Sequence, residues 1–321
     1  MGRFSIVFMG TPEFAVSVIN KLYKEEIEIK AIVTAPDKPA GRGQKLNQSD
    51  VKKFAIDNKL SILQPTNLKD ASFIENLKEL NADLFVVVAF RMLPESVWSI
   101  PTLGTVNLHA SLLPNYRGAA PINWAIINGE TESGVTTFFI EKEIDTGRII
   151  DQIKVQIGEN ETAGELYNRL MQKGADLMYG TVQKIFNGKA TSVEQSELNL
   201  IDIKPAPKIF RDNCKIDFSL SVAQVHDFCR GLSPSPTAWC KLYNHKKDEI
   251  KIYKLFETRK TTISCSCSQS IVRAANGILF PCNDYYILVT EIKPEGKRKM
   301  TFKEFLAGNT VENMSLFGNP E

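Results

Sequence analysis

"LFVVVAF", residues 84–90, is apolar at every position and is bounded by Asp83 and Arg91. An uninterrupted Val-rich run of this length reads as a strand buried on both faces, the signature of a parallel sheet with helices on either side. The flanking sequence agrees. "FSIVFM" (4–9) and "IEIKAIVT" (27–34) precede it and "TVNLH" (105–109) follows, with the helical patterns "PEFAVSVINKLYKE" (12–25) and "ASFIENLKEL" (71–80) between them. Alternating strands and helices predict an α/β domain built on a parallel sheet. Two strands of mixed polarity come next, "VTTFFIE" (135–141) and "RIIDQIKVQI" (148–157). A long amphipathic helix is predicted from Thr162 to about Ile185, opened by a capping box of Thr162 and Glu165.

At 321 residues the chain is long for one core, so two domains are expected. Residues 187–207 are polar and irregular and end in "IKPAPK", which reads as a linker. Beyond it, one helical pattern (221–232) precedes the strand candidates "EIKIYKLFE" (249–257), "ILFPC" (278–282) and "YYILVTEI" (285–292), predicting a small β-barrel. The resulting division is 1–189, a linker at 190–207, and 208–321.

No run of eighteen apolar residues is present, which argues against a membrane span. The apolar N-terminus lacks a cleavage site and meets Pro12 and Glu13 at once, so it reads as a first strand, not a signal peptide. All six cysteines fall in the last third without a C-x-x-C pair, which predicts buried free thiols in a cytoplasmic protein and no metal site. From Lys208 onward there are 17 Lys and Arg against 12 Asp and Glu, leaving 22 against 25 before it. That asymmetry points the C-terminal part toward an anionic partner.

The first strand ends in "FMGTPEFA" (8–15), whose single glycine lacks the G-x-G-x-x-G pattern of dinucleotide binding; Gly10 reads as turn chemistry. Asn107 and His109 end the strand candidate 105–109, and their spacing of two puts both on one face. A lone histidine is by default structural. Beside Asn107, however, the pair joins an amide donor for a developing oxyanion to a group that exchanges protons near neutral pH, a combination suited to attack on a carbonyl. "SLLPNYRGAAPI" (111–122) is too rich in Pro and Gly for a helix interior and reads as an ordered loop lining a pocket, where the backbone of Ser111–Pro114 could meet a flat heterocycle. Asp145, in "IEKEIDTGRII" (140–150), is by default a turn residue, and in space it could orient His109. The Asp-Thr-Gly triplet occurs once, which speaks against an aspartic protease. "APDKPAGRGQKL" (35–46) is expected to be an irregular basic loop, with Lys38, Arg42 and Lys45 able to reach a phosphodiester backbone.

Taken together, "GTPEFA", "PDKPAGRGQKL", "NLHASLLPNYRGAAPI" and "IDTG", in this order and spacing, resemble the methionyl-tRNA formyltransferase family. The likeness runs on through "KIDFSLSVAQV" (215–225), "SPSPTAW" (233–239) and "KRKMTFKEFL" (297–306). It implies a Rossmann-like formyltransferase domain followed by an OB-like C-terminal domain that binds tRNA. It also implies 10-formyltetrahydrofolate as formyl donor, the initiator methionyl-tRNA as acceptor, no metal, and a monomer. The family's catalytic trio falls on Asn107, His109 and Asp145, and its folate-contacting signature on Ser111, Leu112, Leu113 and Pro114. Its tRNA-contacting loop falls on 36–46, with Arg42, Lys38 and Lys45 as the contacts. One departure is a Phe90-Arg91 pair where the family commonly has Tyr-Gly, in a loop beside its pterin site. Transfer to an amino-sugar nucleotide is the alternative activity, and a catalytically silent folate- or RNA-binding module is a third reading, disfavoured by the intact trio.

Overall fold

The structure, a computed structural model, describes residues 4–40, 45–198, 202–265 and 270–318. Strand β1 (Ser5–Gly10) is buried throughout, and helix α1 (Glu13–Lys24) packs Phe14, Ala15, Val18, Ile19 and Leu22 inward at helical spacing. Strand β2 (Glu28–Val33) follows, and then β3 (Lys38–Ala40) and β4 (Lys45–Asn47), which pair antiparallel. The loop expected to be irregular throughout therefore has a two-stranded ribbon at its base. Pro39 is tolerated there because each strand of a ribbon has a free edge. Asp37, at the foot of the ribbon, is held by Lys52 at 2.6 Å and Gln64 at 2.9 Å, and both contacts keep its carboxyl below the usual carboxylate range.

Next come α2 (Asp50–Asp57), β5 (Ile62–Leu63), α3 (Ala71–Glu79), β6 (Leu84–Val88), α4 (Glu95–Trp98) and β7 (Thr105–His109). The short β8 (Arg117–Gly118), α5 (Pro121–Ile127), β9 (Glu132–Phe139), β10 (Ile149–Gln156) and the long α6 (Ala163–Phe186) follow in the chain. The capping box that opens α6 is present, with the Thr162 N–H donating to Glu165 at 2.8 Å. The sheet runs β10-β9-β7-β6-β1-β2-β5. Strands β7, β6, β1, β2 and β5 are parallel, and β9 reverses direction beside β7. The chain fills the sheet from β1 toward β5 and then returns to the other side of β1, so the order switches between β1 and β6. In such sheets the ligand crevice lies beyond the strand carboxyl ends near that switch. Gly10, Val88 and Leu108 stand in register along that edge, and His109 follows directly.

Toward the C-terminus, β11 (Pro205–Ala206) and α7 (Val222–Gly231) precede β12 (Ala238–Asn244), β13 (Glu249–Ser264), β14 (Val272–Ala274), β15 (Gly277–Pro281), β16 (Tyr285–Pro294), β17 (Met300–Thr301), α8 (Phe302–Leu306) and β18 (Met314–Leu316). The antiparallel sheet β14-β15-β16-β13-β12-β18 curls until Ser270 bridges Ser315, which closes it into a barrel. Register shifts around Glu257 bend the sixteen-residue β13, as closure requires. Phe280, Leu255, Ile287 and Val289 fill the interior, with Val225 and Cys229 of α7 in the same core. Cys214, Cys229, Cys240 and Cys282 are free and buried. The chain divides into two compact units, one of Met1–Gly118, Gly134–Val155 and Asn168–Pro205, the other of Ala119–Ser133, Gln156–Tyr167 and Ala206–Glu321.

Candidate active site

Asn107 pairs with Val87 on one side and Phe138 on the other, near the carboxyl end of β7. It is half-buried, and its carboxamide has no hydrogen-bond partner among the described residues. His109, 7% exposed, places Nε2 at 2.8 Å from the Tyr116 carbonyl oxygen. A carbonyl only accepts, so Nε2 carries a proton and donates it, which leaves Nδ1 as the exchangeable position. Nδ1 faces Oδ2 of Asp145 at 3.7 Å, and that carboxylate is 14% exposed. The same Oδ2 accepts the Gly118 N–H at 3.0 Å.

Asp145 sits in the hairpin between β9 and β10 with φ +55°, a left-handed conformation that Asp tolerates better than most residues. Tyr116 (φ +61°) and Ala89 (φ +45°), the latter just past β6, share that conformation. Three of the eight non-glycine residues with positive φ among the described residues thus lie in the segments beside Asn107 and His109. Gly147 lets the hairpin close tightly, because a Cβ there would lie 1.8 Å from the Phe139 carbonyl oxygen. The buried Gln195 holds the turn from outside. Its Nε2 donates to the carbonyls of Asp145 at 2.9 Å and Gly147 at 2.8 Å, while its Oε1 accepts from Arg117 Nε at 3.1 Å and a terminal guanidinium nitrogen at 2.6 Å.

Across β7, the loop after His109 is fixed by two polar side chains from neighbouring strands. The Thr136 hydroxyl donates to the Ser111 carbonyl at 2.7 Å and accepts the Leu113 N–H at 3.2 Å. Gln152 Nε2 donates to the Leu113 carbonyl and to Thr136 Oγ1, each at 2.9 Å. Ser111 Oγ donates to the Asn115 carbonyl at 2.6 Å. Leu113 and Pro114 are joined by a cis peptide and buried, while Leu112 is half-buried. Much of the main chain expected to face a heterocycle therefore already has partners in the protein. By contrast, the main-chain groups of Arg91 and Met92 take no main-chain partner among the described residues. Arg91 turns its guanidinium to the carbonyls of Pro65 at 2.7 Å and Thr66 at 3.1 Å, and burial lowers its affinity for its proton.

His109 and Asp145 thus meet, with Asn107 on the same strand face, and Ser111–Pro114 form the adjoining loop. Lys38 and Lys45 stand on the ribbon strands β3 and β4, with the Lys38 side chain exposed, and Arg42 lies outside the described residues. Sequence reasoning missed Gln195, Arg117, Thr136 and Gln152. Thr136 lies beside Thr137 in a strand of mixed polarity, so nothing in the pattern singled it out. Gln195, in a polar segment read as linker, had no signal either. Among the described residues, no group of three or more His, Cys, Asp or Glu could hold a metal, and no helix is long and apolar enough to cross a membrane.

A histidine–aspartate pair and an amide with no hydrogen-bond partner among the described residues, at the carboxyl edge of a doubly wound sheet that is followed by a barrel, form the frame of a formyl transferase. The profile of that family matches residues 3–182, and that of the formyl transferase C-terminal domain matches residues 208–310. The methionyl-tRNA formyltransferase of Flavobacterium psychrophilum is 48% identical over 318 residues, covering 98% of this chain and 99% of that protein. The methionyl-tRNA formyltransferase of Bacteroides fragilis is 46% identical over 306 residues, covering 94% of each. The chain belongs to the methionyl-tRNA formyltransferase family and is a formyltransferase. The fold recurs in an N-formyltransferase from Helicobacter canadensis solved with folinic acid and dTDP-3-aminofucose, with TM-score 0.65 and 21% identity over 92% of this chain and all of that one.

Proposed function

We propose that this enzyme moves the formyl group of 10-formyltetrahydrofolate to the amino group of methionine on initiator methionyl-tRNA. The observation that carries this reading is the 48% identity to a methionyl-tRNA formyltransferase along both chains almost end to end. tRNA also gives the excess of Lys and Arg in the C-terminal part a partner. The residues present fit a folate donor. A flat heterocycle with a donor–acceptor edge requires free main-chain groups beside apolar walls. Arg91 and Met92, whose main-chain groups take no main-chain partner among the described residues, offer such groups, and Ser111, Leu113 and Pro114 lie in the ordered loop that follows His109.

When bound, the donor supplies an electrophilic formyl carbon on N10. The Asn107 carboxamide donates to the formyl oxygen as negative charge builds there. His109 keeps its Nε2 proton on the Tyr116 carbonyl and uses Nδ1 to take the proton shed by the attacking amine and pass it to N10. Asp145 faces Nδ1 and balances the imidazolium while it exists. Lys38, Arg42 and Lys45 contact the tRNA backbone from the 36–46 loop. Residues 1–189 carry the chemistry, 190–207 link, and 208–321 bind tRNA. The enzyme works as a cytoplasmic monomer without a metal.

The test is formyl transfer by the purified protein to charged initiator tRNA and, in parallel, to amino-sugar nucleotides. Transfer to the tRNA alone is expected, and transfer to the sugar alone overturns the proposal. Asn107→Ala, His109→Ala and Asp145→Ala should each slow turnover, by roughly 100- to 1000-fold for the oxyanion donor. Near-normal turnover in all three folded variants rules out the trio.

A further inference from the structure

We propose that Gln195, in the segment after α6, is a positioning residue for Asp145; the inference rests on the trio assigned above. Three observations meet there. First, Gln195 is 5% exposed, and its amide is fully used, with both N–H bonds on the carbonyls of Asp145 and Gly147 and the oxygen on Arg117. Those two carbonyls belong to the turn that holds Asp145 left-handed at φ +55°. A turn in that conformation relaxes unless its surroundings hold it.

Second, Gln195 is itself pinned. Ile149 and Val193 exchange N–H···O bonds at 2.9 Å in both directions, which adds a one-residue strand to the edge of β10. Arg148 donates to Ser192 Oγ at 2.9 Å and to the Ser192 carbonyl at 3.0 Å, and pairs with Glu194. Residues 192–195 are thereby buckled to the strand that leaves the Asp145 turn, so the amide reaches the turn from a fixed base.

Third, Gln195 closes a ring around the pair. Three consecutive residues at β8 reach its members: the Tyr116 carbonyl takes His109 Nε2–H, the Arg117 side chain holds Gln195, and the Gly118 N–H holds the Asp145 carboxylate. Asp145 is thus gripped at its carboxylate by Gly118 and at its carbonyl by Gln195. The Arg117–Gln195 contact joins the two grips. Losing the amide frees the carbonyl side, and the carboxylate drifts from Nδ1. The residue touches no reacting atom and acts through Asp145.

Gln195→Met keeps length and volume and removes both donors. In the full-length enzyme with 10-formyltetrahydrofolate and charged initiator tRNA, kcat should fall about 10- to 100-fold. KM for both substrates should stay within about threefold, because neither is touched. Made in an Asp145→Asn background, the same change should cost little further rate, since its effect passes through that carboxylate. Gln195→Glu keeps the acceptor for Arg117 but sets an oxygen against two carbonyls, so it too should lose kcat, and it is read instead should Gln195→Met fail to fold. A folded Gln195→Met or Gln195→Glu enzyme with unchanged kcat overturns the inference, as does an equal loss with Asp145→Asn already present. A wild-type enzyme that forms no N-formylmethionyl-tRNA overturns the proposed function, and this inference with it.

Discussion

Replacing Gly147 with alanine adds one methyl group at a buried position of the hairpin and tests how finely Asp145 must be placed. The new carbon would sit 1.8 Å from the Phe139 carbonyl oxygen. Ordinary contact needs about 3.5 Å, so main chain must retreat by roughly 1.7 Å. Phe139 cannot give way easily, because it lies at the end of β9 beside Val106 and its N–H is tied to the Arg148 carbonyl at 3.0 Å. The turn gives way instead, and Asp145 lies two residues along it. A displacement of about 1 Å at a catalytic group is worth about 100-fold in rate, so Gly147→Ala should lose at least that in kcat. Formyl transfer to charged initiator tRNA reads the rate, and near-ultraviolet circular dichroism with a thermal melt confirms that the rest of the fold survives. A folded variant within about twofold of the wild-type kcat would refute the claim that this turn sets the rate.

Three further outcomes follow from packing and protonation. Thr136→Val leaves the Leu113 N–H and the Ser111 carbonyl without a buried partner, so urea unfolding should show about 2 kcal/mol lost; a change under about 0.5 kcal/mol would contradict that bonding. His226, 1% exposed with Nδ1 at 2.8 Å from Thr258 Oγ1, is pushed down to about 4 by burial and then by Arg230, with Lys260 adding and Asp227 opposing. The unfolded ring takes a proton below 6.5 and the folded ring does not until about 4, so stability should fall by about 3 kcal/mol as pH drops through that window. The slope should flatten in His226→Gln, and an unchanged slope there would assign it to other groups. Gly180, inside α6, where an added Cβ would meet nothing within 4 Å, should accept alanine with a gain of about 0.5–1 kcal/mol and unchanged transfer rate; a lower melting temperature would show hidden crowding.

Periodicity made most of the α/β half legible. The run at 84–90 marks the strand β6, and "TVNLH" coincides with β7, because a buried strand must be apolar along its whole length. Asn107 and His109 stood out for the complementary reason, polar groups where the pattern asks for apolar ones. The reversal of β9 beside β7 was not legible, since strand direction depends on connections over distances that local pattern does not encode. Gln195 was hidden for a different reason. A glutamine in a polar stretch looks solvated, and only tertiary pairing of 192–195 with Arg148 and Ile149 turns it inward. The ribbon of β3 and β4 escaped notice because the prolines and glycines of the 35–46 sequence signal irregularity, yet a two-stranded ribbon needs only a few main-chain bonds.

The buckle at 192–195 also bears on how the chain can be cut and rejoined. A helix end is the natural place to splice, and α6 ends at Phe186. A hybrid that joined this chain's first part to a relative's barrel at that point would take its 192–195 segment from the other parent. The donor of the barrel would then be shaping the turn at Asp145, and a change in turnover could be mistaken for a change in tRNA recognition. Joining after Ala206 keeps Gln195 with Arg117 and Asp145 in one parent, so that such hybrids report on the acceptor alone.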